Sequence, residues 1–369
     1  MLNKVLIAAG GTGGHINPAL GVAGYIKEKN PSAEIVFVGT KDKMEARLVP
    51  QAGFDIRFID ISGFYRRFDL ESIKHNISTL SKLLRSSSQA KKIIKDFQPD
   101  IVIGFGGYVS GPVLRMAAKM KIPTAIHEQN AFPGVTNKAL AGKVDAVMLT
   151  SEKAEQYMKC KNKPVITGLP VRGDLIKADA EKAAKELNLN GRPLVLSMGG
   201  SLGAKPVNDA VFTMLCNKYK DKNIVFMHAT GKNGGDFIER LKEKGIDPMS
   251  DNIRVTEYID IPKCLPAASL VISRSGASTL SELQMLSKPS ILIPSPYVAE
   301  NHQYHNAMAL VENGAAEIIE EKALTGDLLT ERVEAMLGDS AALQKMGENA
   351  GKMAVRNSTE LIYNALPIR

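Results

Sequence analysis

One pattern occurs three times in the sequence: a short apolar run, a Gly-Gly pair, a small polar or aromatic residue, and then a helical stretch. The copies are "VLIAAGGTGGH" (Val5–His15), "IVIGFGGYVSG" (Ile101–Gly111) and "LVLSMGGSLGA" (Leu194–Ala204). Further short apolar runs, each followed by a helical pattern, lie on both sides of the third copy. Such alternation is typical of parallel strands buried on both faces. We therefore predict an α/β protein in which a doubly wound sheet occurs twice.

The length of the chain also indicates two domains, because 369 residues exceed what one ordinary core holds. We predict an N-terminal domain over 1–165 and a C-terminal domain over 166–349. The stretch "KPVITGLPVRGDL" (Lys163–Leu175) has two prolines and two glycines, as is typical of a linker. Residues from about 350 to 369 are helical in pattern with no strand to follow, and two placements stay open for this helix: against the N-terminal domain or against the C-terminal one.

The composition favours a soluble globular protein, with 44% hydrophobic and 23% charged residues. No apolar run approaches ~18 residues, and the start "MLNKVLIAAGG" has no cleavable apolar core. A cytoplasmic protein without a spanning helix is therefore expected. The three cysteines are scattered and odd in number, which argues against a disulfide framework or a zinc cluster.

The net charge of +8 lies entirely in the first half of the chain. Residues 1–160 hold 22 Lys+Arg against 14 Asp+Glu, whereas residues 161–369 hold 25 of each. A basic half-molecule suits nucleic acid, an anionic membrane surface or a phosphorylated substrate. Aromatic residues are only 5%, Trp is absent, and no nucleic-acid module is recognisable, so nucleic acid ranks below the other two.

The glycine-rich loops are candidate anion sites. A strand that leads into such a loop at a helix N-terminus presents unpaired N–H groups, and the helix dipole adds roughly half a positive charge. The other interpretation is that the glycines only form tight turns. A dinucleotide-binding site is a weak alternative, because "GGTGGH" lacks the regular GxGxxG spacing and the second strand ends "FVGTKD" without an acidic residue.

These loops, together with "HEQN" (His127–Asn130), "GLPVRGD" (Gly168–Asp174) and "SRSGASTLSE" (Ser273–Glu282), closely resemble the MurG family over essentially the whole chain. These bacterial N-acetylglucosaminyltransferases convert lipid I to lipid II in peptidoglycan synthesis. The resemblance implies the GT-B architecture, in which two Rossmann-like domains with parallel sheets face a cleft. It also implies that the N-terminal domain binds the undecaprenyl-diphosphate-linked acceptor, lipid I, and that the C-terminal domain binds UDP-GlcNAc, without a cofactor.

The resemblance also implies roles for individual residues. Near the donor sugar and the acceptor diphosphate it places Thr12, Gly13 and Gly14. Asn130 faces the N-acetylglucosamine, and Gln303 contacts the sugar hydroxyls. The backbone of Ile259 is implied to contact the uracil, and Glu282 the ribose hydroxyls. The residues implied at the donor diphosphate are Arg172, Ser201 and the helix start Ala277, Ser278, Thr279, Leu280 and Ser281.

Two positions depart from the family pattern. The family usually has "GNPVR" and "GGSQGA", whereas Leu169 and Leu202 stand here in place of the Asn and the Gln. Each replacement removes a polar side chain that is expected beside the diphosphate. We expect an effect on affinity rather than on the type of reaction.

Two residues are candidates for the general base. An imidazole with an ordinary pKa near ~6.5 accepts a proton at neutral pH, and His15 follows the first glycine loop directly. The other interpretation is that His15 only orders that loop. Glu128 follows a strand whose loop is expected at the cleft; it is either a base or a residue that orients Asn130 or a sugar hydroxyl.

Glu282 and Arg172 also have interpretations from the residues alone. Glu282 either offsets a helix dipole or accepts two hydrogen bonds from a ribose diol. Arg172 supplies a planar fork for phosphate between Pro170 and Gly173. His302 and His305 lack a third ligand at suitable spacing, and no Asp-x-Asp occurs. The resemblance implies an inverting transfer to the muramoyl 4-hydroxyl of lipid I, and the lack of these metal-ligand patterns predicts that the transfer is metal-independent.

Three alternatives remain open at this point: another lipid-acceptor GT-B glycosyltransferase, a UDP-GlcNAc epimerase, and a catalytically silent nucleotide-sugar-binding module. The acceptor lies in the cytoplasmic leaflet, so peripheral binding to an anionic membrane surface on the cytoplasmic face is expected as well. The segment Phe64–Phe97 is the candidate for it, since an apolar stripe there is surrounded by basic residues. The other interpretation of this segment is an ordinary core-facing helix.

Overall fold

The computed structural model describes residues 2–61 and 85–368. The chain divides into two compact units. The first comprises Met1–Pro170 together with Asn357–Arg369, and the second comprises Val171–Arg356. Among the residues that the model describes, none of the helices combines the length and the apolar character needed to cross a membrane.

The first unit is built on a seven-stranded sheet in the order β3-β2-β1-β4-β5-β6-β7. All of its strand pairs are parallel. Both faces are buried, since alternate residues of the first strand enter two different apolar cores. The strands are β1 (Lys4–Ala8), β2 (Glu34–Gly39), β3 (Asp55–Phe58), β4 (Ile101–Gly104), β5 (Thr124–Glu128), β6 (Ala146–Leu149) and β7 (Val165–Ile166).

Helices connect these strands on both faces of the sheet. The described part of the third helix buries Ile93, Ile94 and Phe97 in one core, while Lys91 and Lys92 on the same stretch are exposed. The helices are α1 (Gly13–Lys29), α2 (Glu45–Gln51), α3 (described over 85–97), α4 (Gly107–Lys119) and α5 (Val135–Leu140), with a short 3-10 helix at Glu152–Tyr157.

The second unit repeats the design with six parallel strands in the order β10-β9-β8-β11-β12-β13. Its main apolar core joins the sheet to the helices that follow β8 and β9. The strands are β8 (Leu194–Met198), β9 (Val225–Ala229), β10 (Ile253–Thr256), β11 (Leu270–Ser273), β12 (Ser290–Leu292) and β13 (Glu317–Ile318).

The helices of the second unit follow its strands in the same alternation, and the chain then returns to the first unit. There the last helix packs against α1 and buries Ile362 in the first unit's core. The helices are α6 (Gly173–Ile176), α7 (Ala180–Glu186), α8 (Lys205–Lys218), α9 (Phe237–Glu243), α10 (Ile261–Cys264), α11 (Ala277–Met285), α12 (His302–Val311), α13 (Gly326–Gly338), α14 (Ser340–Lys352) and α15 (Ser358–Asn364), with 3-10 turns at Ala299–Asn301 and Glu321–Ala323.

The predicted pair of doubly wound parallel sheets is confirmed, and the differences lie at the sheet edges. The strands β3, β7 and β13 were not among the predicted apolar runs, since they are short, partly exposed edge strands. The boundary between the two units, after Pro170, falls within the predicted linker Lys163–Leu175, but both ends of this stretch are regular structure. Val165 and Ile166 pair with β6 as the last strand of the first sheet, and α6 begins at Gly173.

Most of the candidate membrane segment Phe64–Phe97 lies outside the described residues. This holds for the whole predicted apolar stripe (Leu70, Ile73, Ile77, Leu80 and Leu84) and for Arg66, Arg67, Lys74 and Lys82. The described part begins at Arg85, which is exposed.

Candidate functional site

The loops after β1, β4 and β5 meet at one edge of the first sheet, because these strands are parallel neighbours. The strand order reverses between β1 and β4, and ligands of open α/β sheets bind at such a reversal, outside the carboxyl ends of the strands. This edge gathers Thr12, Gly13, Gly14 and His15 from the first loop and helix, and Asn130 from the loop after β5. Glu128 is the last residue of β5 itself, rather than following the strand as the sequence suggested.

Thr12 is the N-cap of α1, and Gly13 and Gly14 are the first two residues of that helix. The first N–H groups of a helix have no partner within the helix, and the dipole favours an anion beside them. α1 has 17 residues and no acidic residue in its first turn. This helix start is therefore suited to a negatively charged group.

His15 is half-buried in the first turn of α1. Its Nδ1 lies 3.1 Å from the Gly10 carbonyl oxygen and 3.4 Å from Thr12 Oγ1. Because a carbonyl oxygen only accepts, the hydrogen of the neutral ring is on Nδ1, and Nε2 carries the lone pair. Burial lowers the pKa of His15, which the Gly10 hydrogen bond and the charge of Glu45 partly offset. The ring is thus a neutral acceptor at physiological pH.

The loop after β4 lies against this ring and leaves it room. Gly106 adopts φ +97°, and a Cβ there would come within 3.0 Å of His15 Nε2. Ser110 fixes the loop, because its hydroxyl accepts from Gly106 N–H and lies 3.0 Å from the Ala8 carbonyl oxygen. Gly106, from the second copy of the repeated pattern, therefore leaves space for His15 from the first copy.

Glu128 is buried, and both of its carboxylate oxygens accept hydrogen bonds. Oε1 accepts from the backbone N–H and the side-chain amide of Asn130, at 2.9 and 3.2 Å. Oε2 accepts from Asn137 Nδ2 and Gly134 N–H, at 2.8 and 3.1 Å. Burial raises the pKa of Glu128, and these hydrogen bonds oppose the rise. Of the two interpretations left open by the sequence, this geometry favours the residue that orients Asn130.

His127 and Gln129 form a second buried connection in the same loop. His127 Nε2 lies 2.8 Å from the Gly168 carbonyl oxygen, and Gln129 Nε2 lies 3.2 Å from His127 Nδ1. Burial lowers the pKa of His127 to about 4, so the ring is neutral. The "HEQN" stretch is thereby hydrogen-bonded to Gly168, two residues before Pro170, after which the chain enters the second unit.

In the second unit the strand order reverses between β8 and β11, and the loops after these strands lie at the same edge of that sheet. The loop after β8 is held by the backbone. Lys232 N–H donates to the Ser201 carbonyl oxygen at 3.2 Å, and Asn233 N–H donates to that of Leu202 at 2.9 Å. Ser201 itself is exposed at this edge.

The loop after β11 ends in the N-terminus of α11, as the sequence predicted. Leu280 and Ser281 are buried and pack this helix start, whereas Ala277, Ser278 and Thr279 are partly exposed. Within the described residues the buried Ser278 hydroxyl has no hydrogen-bond partner. A hydroxyl and unpaired N–H groups at a helix N-terminus are suited to phosphate oxygens.

Arg172 and Glu282 come together in the second unit. Arg172 Nη2 lies 3.3 Å from Glu282 Oε1, with Arg172 half-exposed and Glu282 largely buried. Burial raises the pKa of Glu282, and the Arg172 charge opposes the rise. A guanidinium has five donors and a carboxylate two acceptor oxygens, so one contact leaves both groups further hydrogen-bonding capacity. A cation and an anion thus stand side by side.

Gln303 and Ile259 lie on two further loops of this edge. Gln303, on α12, accepts from Ser295 N–H through Oε1 at 2.9 Å, and its carbonyl oxygen accepts from Ser275 Oγ at 2.8 Å. Neither bond uses the side-chain NH2 group of Gln303, which is a hydrogen-bond donor. Ile259 lies between β10 and α10 and is partly exposed.

The two departures from the family pattern occupy different environments. Leu169 is 2% exposed, so its side chain is packed rather than presented at a loop surface. Leu202 is 61% exposed on the loop after β8. Only the second replacement puts an apolar side chain at the loop surface.

Sequence reasoning missed three polar residues that hold these loops: Glu45, Ser110 and Asn137. All three are buried. The one signal in the sequence was a polar residue within a helix start or an otherwise apolar stretch, which also fits an ordinary surface position. Their partners are backbone groups of distant loops, and such pairing is visible only in the fold.

Comparison with known proteins gives a family match over both units. Residues 5–149 match the glycosyltransferase family 28 N-terminal domain, and residues 194–362 match the glycosyltransferase family 28 C-terminal domain. Together these matches span most of the chain.

Curated relatives agree. The chain is 45% identical to the UDP-N-acetylglucosamine–N-acetylmuramyl-(pentapeptide) pyrophosphoryl-undecaprenol N-acetylglucosamine transferase of Acetivibrio thermocellus, over 98% of this chain and 97% of the relative. It is also 45% identical to the transferase of the same name from Ruminiclostridium cellulolyticum, over 98% and 99%. Among solved structures, the crystal structure of Acinetobacter baumannii MurG matches with a TM-score of 0.80, at 27% identity and 99% coverage of each chain.

The buried histidine of the "HEQN" loop makes a testable contribution to acid stability. Between pH 6.5 and about 4 the unfolded chain protonates His127 but the folded chain does not, so the free energy of unfolding falls as pH falls. We expect a loss on the order of 2–3 kcal/mol between pH 7 and 4.5 from this residue. In urea unfolding, the stability gap between wild type and His127→Gln should narrow by that amount on acidification.

His228→Gln, in the second sheet, is the matched comparison. Burial lowers the pKa of His228 to about 3, so the same narrowing is expected there. A gap between wild type and His127→Gln that is independent of pH would contradict the prediction.

Proposed function

The chain belongs to glycosyltransferase family 28 and, within it, to the MurG N-acetylglucosaminyltransferases, and we propose that its first unit binds the lipid-linked acceptor and its second unit the nucleotide sugar. The protein transfers N-acetylglucosamine from UDP-N-acetylglucosamine to the muramoyl 4-hydroxyl of lipid I, giving lipid II and UDP. The observation that carries this function is 45% identity to transferases of that name over 98% of the chain.

On the donor side, the diphosphate lies at the N-terminus of α11, where Ala277, Ser278 and Thr279 supply N–H and hydroxyl donors. Arg172 adds a planar cation, and Glu282 beside it accepts from the ribose diol. Their 3.3 Å pairing supports this arrangement, because the two groups must serve adjacent parts of one nucleotide. Further contacts come from Ser201 to the diphosphate, from the Ile259 backbone to uracil, and from Gln303 to the sugar hydroxyls.

On the acceptor side, the N-terminus of α1 at Thr12, Gly13 and Gly14 lies near the donor sugar and the acceptor diphosphate. Asn130 faces the N-acetylglucosamine, and Glu128 orients Asn130 through two hydrogen bonds. Each carboxylate oxygen of Glu128 already accepts two hydrogen bonds from its own surroundings, which supports the orienting role over the base role.

His15 is the general base. Its Nδ1 hydrogen is held by the Gly10 carbonyl oxygen, so the Nε2 lone pair takes the proton of the attacking hydroxyl. The hydroxyl oxygen then forms a bond to the anomeric carbon while the bond to UDP breaks, with inversion and without a covalent intermediate. Arg172 and the α11 N-terminus stabilise the charge on the leaving UDP, and the transfer is metal-independent.

The enzyme acts at the membrane as a peripheral protein on the cytoplasmic face. Support comes from the +8 charge of the first half and from the exposed lysines 91, 92 and 95 on α3. Basic residues near an anionic surface contribute roughly 1 kcal/mol each. No nucleic acid is a partner.

The function is tested by incubating the protein with labelled UDP-GlcNAc and a soluble lipid I analogue in EDTA. We expect the disaccharide product without added metal. His15→Ala should lower kcat by on the order of 10²–10⁴ with little change in the KM for UDP-GlcNAc, because it removes proton transfer rather than donor binding.

Glu28→Ala, an exposed position on the same helix, is the control and should behave as wild type. Loss of product in EDTA that Mg²⁺ restores would refute the metal-independent account. UDP release without a disaccharide would refute the transfer, and binding without UDP release would indicate a silent binding module. A loss below about tenfold in His15→Ala would leave His15 only a role in ordering the loop.

Glu282→Ala should weaken UDP binding by roughly 10- to 100-fold, because a hydrogen bond to a charged group contributes roughly 1.5–3 kcal/mol. Calorimetric titration with UDP measures this, and the KM for UDP-GlcNAc should rise in parallel. Glu239→Ala, an exposed glutamate on α9, is the matched control. An unchanged UDP affinity would limit Glu282 to a structural role.

The membrane proposal is tested by changing Arg66, Arg67, Lys82 and Arg85 to Glu. Sedimentation with anionic vesicles should fall by at least about tenfold, and activity should fall on a membrane-held acceptor but not on a soluble analogue. The matched control has the same charge change at exposed lysines of the second unit: Lys182, Lys185, Lys242 and Lys244. Equal loss on both acceptors would assign the patch to the fold or the active site.

A further inference from the structure

Glu45 is a fully buried carboxylate at the start of α2, and nothing described above gives it a role in the reaction. Its Oε1 accepts from Thr40 N–H at 2.9 Å and from Thr40 Oγ1 at 2.8 Å. Its Oε2 accepts from Gly11 N–H at 3.0 Å. The carboxylate therefore joins the ends of β2 and β1 at the loop edge of the first sheet.

Two glycines make the space for this side chain. A Cβ at Gly10 would come within 2.7 Å of Glu45 Oε1, and a Cβ at Gly39 within 2.5 Å of its Cγ. A larger residue at either position would displace the carboxylate. Glycine at positions 10 and 39 thus leaves the space that the buried Glu45 side chain occupies.

A single peptide group connects Glu45 to His15. The N–H of Gly11 donates to Glu45, and the carbonyl oxygen of the same Gly10–Gly11 peptide accepts from His15 Nδ1 at 3.1 Å. Hydrogen bonds in such a chain polarise one another. The carboxylate draws on the N–H and so makes the Gly10 carbonyl oxygen a stronger acceptor for the imidazole.

Among the residues that the structure describes, Glu45 is the charged group that acts on the His15 ring. Burial lowers the pKa of His15, while the Gly10 hydrogen bond and the Glu45 charge raise it. The neighbouring loops bring Gly106 and Gln129, which do not titrate. Behind Gln129 lies His127, which is neutral because burial lowers its pKa to about 4.

We propose that Glu45 is a positioning residue for His15 and acts through the Gly10–Gly11 peptide. It holds the Nδ1–H form of the ring and stabilises the imidazolium that forms when Nε2 takes the proton of the attacking hydroxyl. The electron pair of the breaking sugar–UDP bond leaves with UDP, and the imidazolium later releases its proton to solvent. The inference rests on the proposed role of His15 as the base.

The first test is NMR of the full-length protein with ¹⁵N-labelled histidine, in which His15→Gln identifies the His15 signals. In the wild type the neutral ring should show the Nδ1–H form. Glu45→Gln should move the titration midpoint of His15 to lower pH, because the variant removes the charge and offers only one acceptor oxygen to three donors. A wild-type ring in the Nε2–H form would overturn the proposal.

The second test is the pH dependence of kcat. A base with a lower pKa stays deprotonated to lower pH, so the acidic limb of the Glu45→Gln profile should shift to lower pH. kcat should fall by on the order of 10- to 100-fold, as for carboxylates that orient metal-bound imidazoles, with little change in the KM for UDP-GlcNAc. A folded Glu45→Gln protein with unchanged midpoint and kcat would overturn the proposal.

Two further variants separate the relay from folding. Thr40→Val removes one hydrogen bond to Glu45 but keeps the charge and the Gly11 contact, so the His15 signals should stay close to wild type. Glu45→Asp keeps the charge on a shorter side chain, so it should lower kcat less than Glu45→Gln does. Circular dichroism checks each fold. Should Glu45→Gln not fold, two results test the proposal instead. The wild-type ring should be in the Nδ1–H form, and Glu45→Asp should change the His15 signals and kcat more than Thr40→Val does; the opposite results would overturn it.

Failure of this inference is distinguishable from failure of the proposed base. If His15→Ala abolishes transfer while Glu45→Gln leaves the His15 titration unchanged, the base stands and the relay is overturned. If Glu45→Gln shifts the titration while His15→Ala keeps activity within about tenfold of wild type, the relay through the peptide stands and the base assignment falls.

Discussion

The reversal of strand order beside the first strand of each sheet is the constraint on which the rest of the structure depends. Because β1 and β4 are parallel neighbours whose helices leave in opposite directions, their loops separate at one edge and leave room for a ligand. The same reversal occurs at β8 and β11. Each reversal coincides with a Gly-Gly loop, so the repeated sequence pattern marks the sheet edges at which ligands of open α/β sheets bind.

How much of this follows from sequence depends on whether a residue's partners are local. Central strands were predictable because burial on both faces demands uninterrupted apolar runs. The edge strand β7 was not predictable, because a strand of two partly exposed residues is too short to show a pattern of apolar residues. The helix starts at Gly13 and Ala277 follow from local pattern. The pairing of Arg172 with Glu282 does not, because the two residues are far apart in sequence and only the fold unites them.

Buried carboxylates show the same limit for the candidate site. Burying a charge is unfavourable unless hydrogen bonds replace its water. Glu128 accepts four and Glu45 three, mostly from loop backbone. The sequence leaves Glu128 two roles, and its saturated oxygens favour orientation over proton transfer. A rigid loop edge, held before any substrate arrives, is what such hydrogen bonds supply.

The two units hold their glycine loops by different means, and the difference fits the ligands proposed for each. In the second unit the loop after β8 is held by neutral backbone contacts, which place no negative charge beside a diphosphate. In the first unit a carboxylate takes Gly11 N–H, so that donor no longer serves an anion. The N–H groups left for one are those at the start of α1, in the same turn as His15. The carboxylate thus favours a positive charge on the imidazole, while the helix start beyond it stays available to a phosphate.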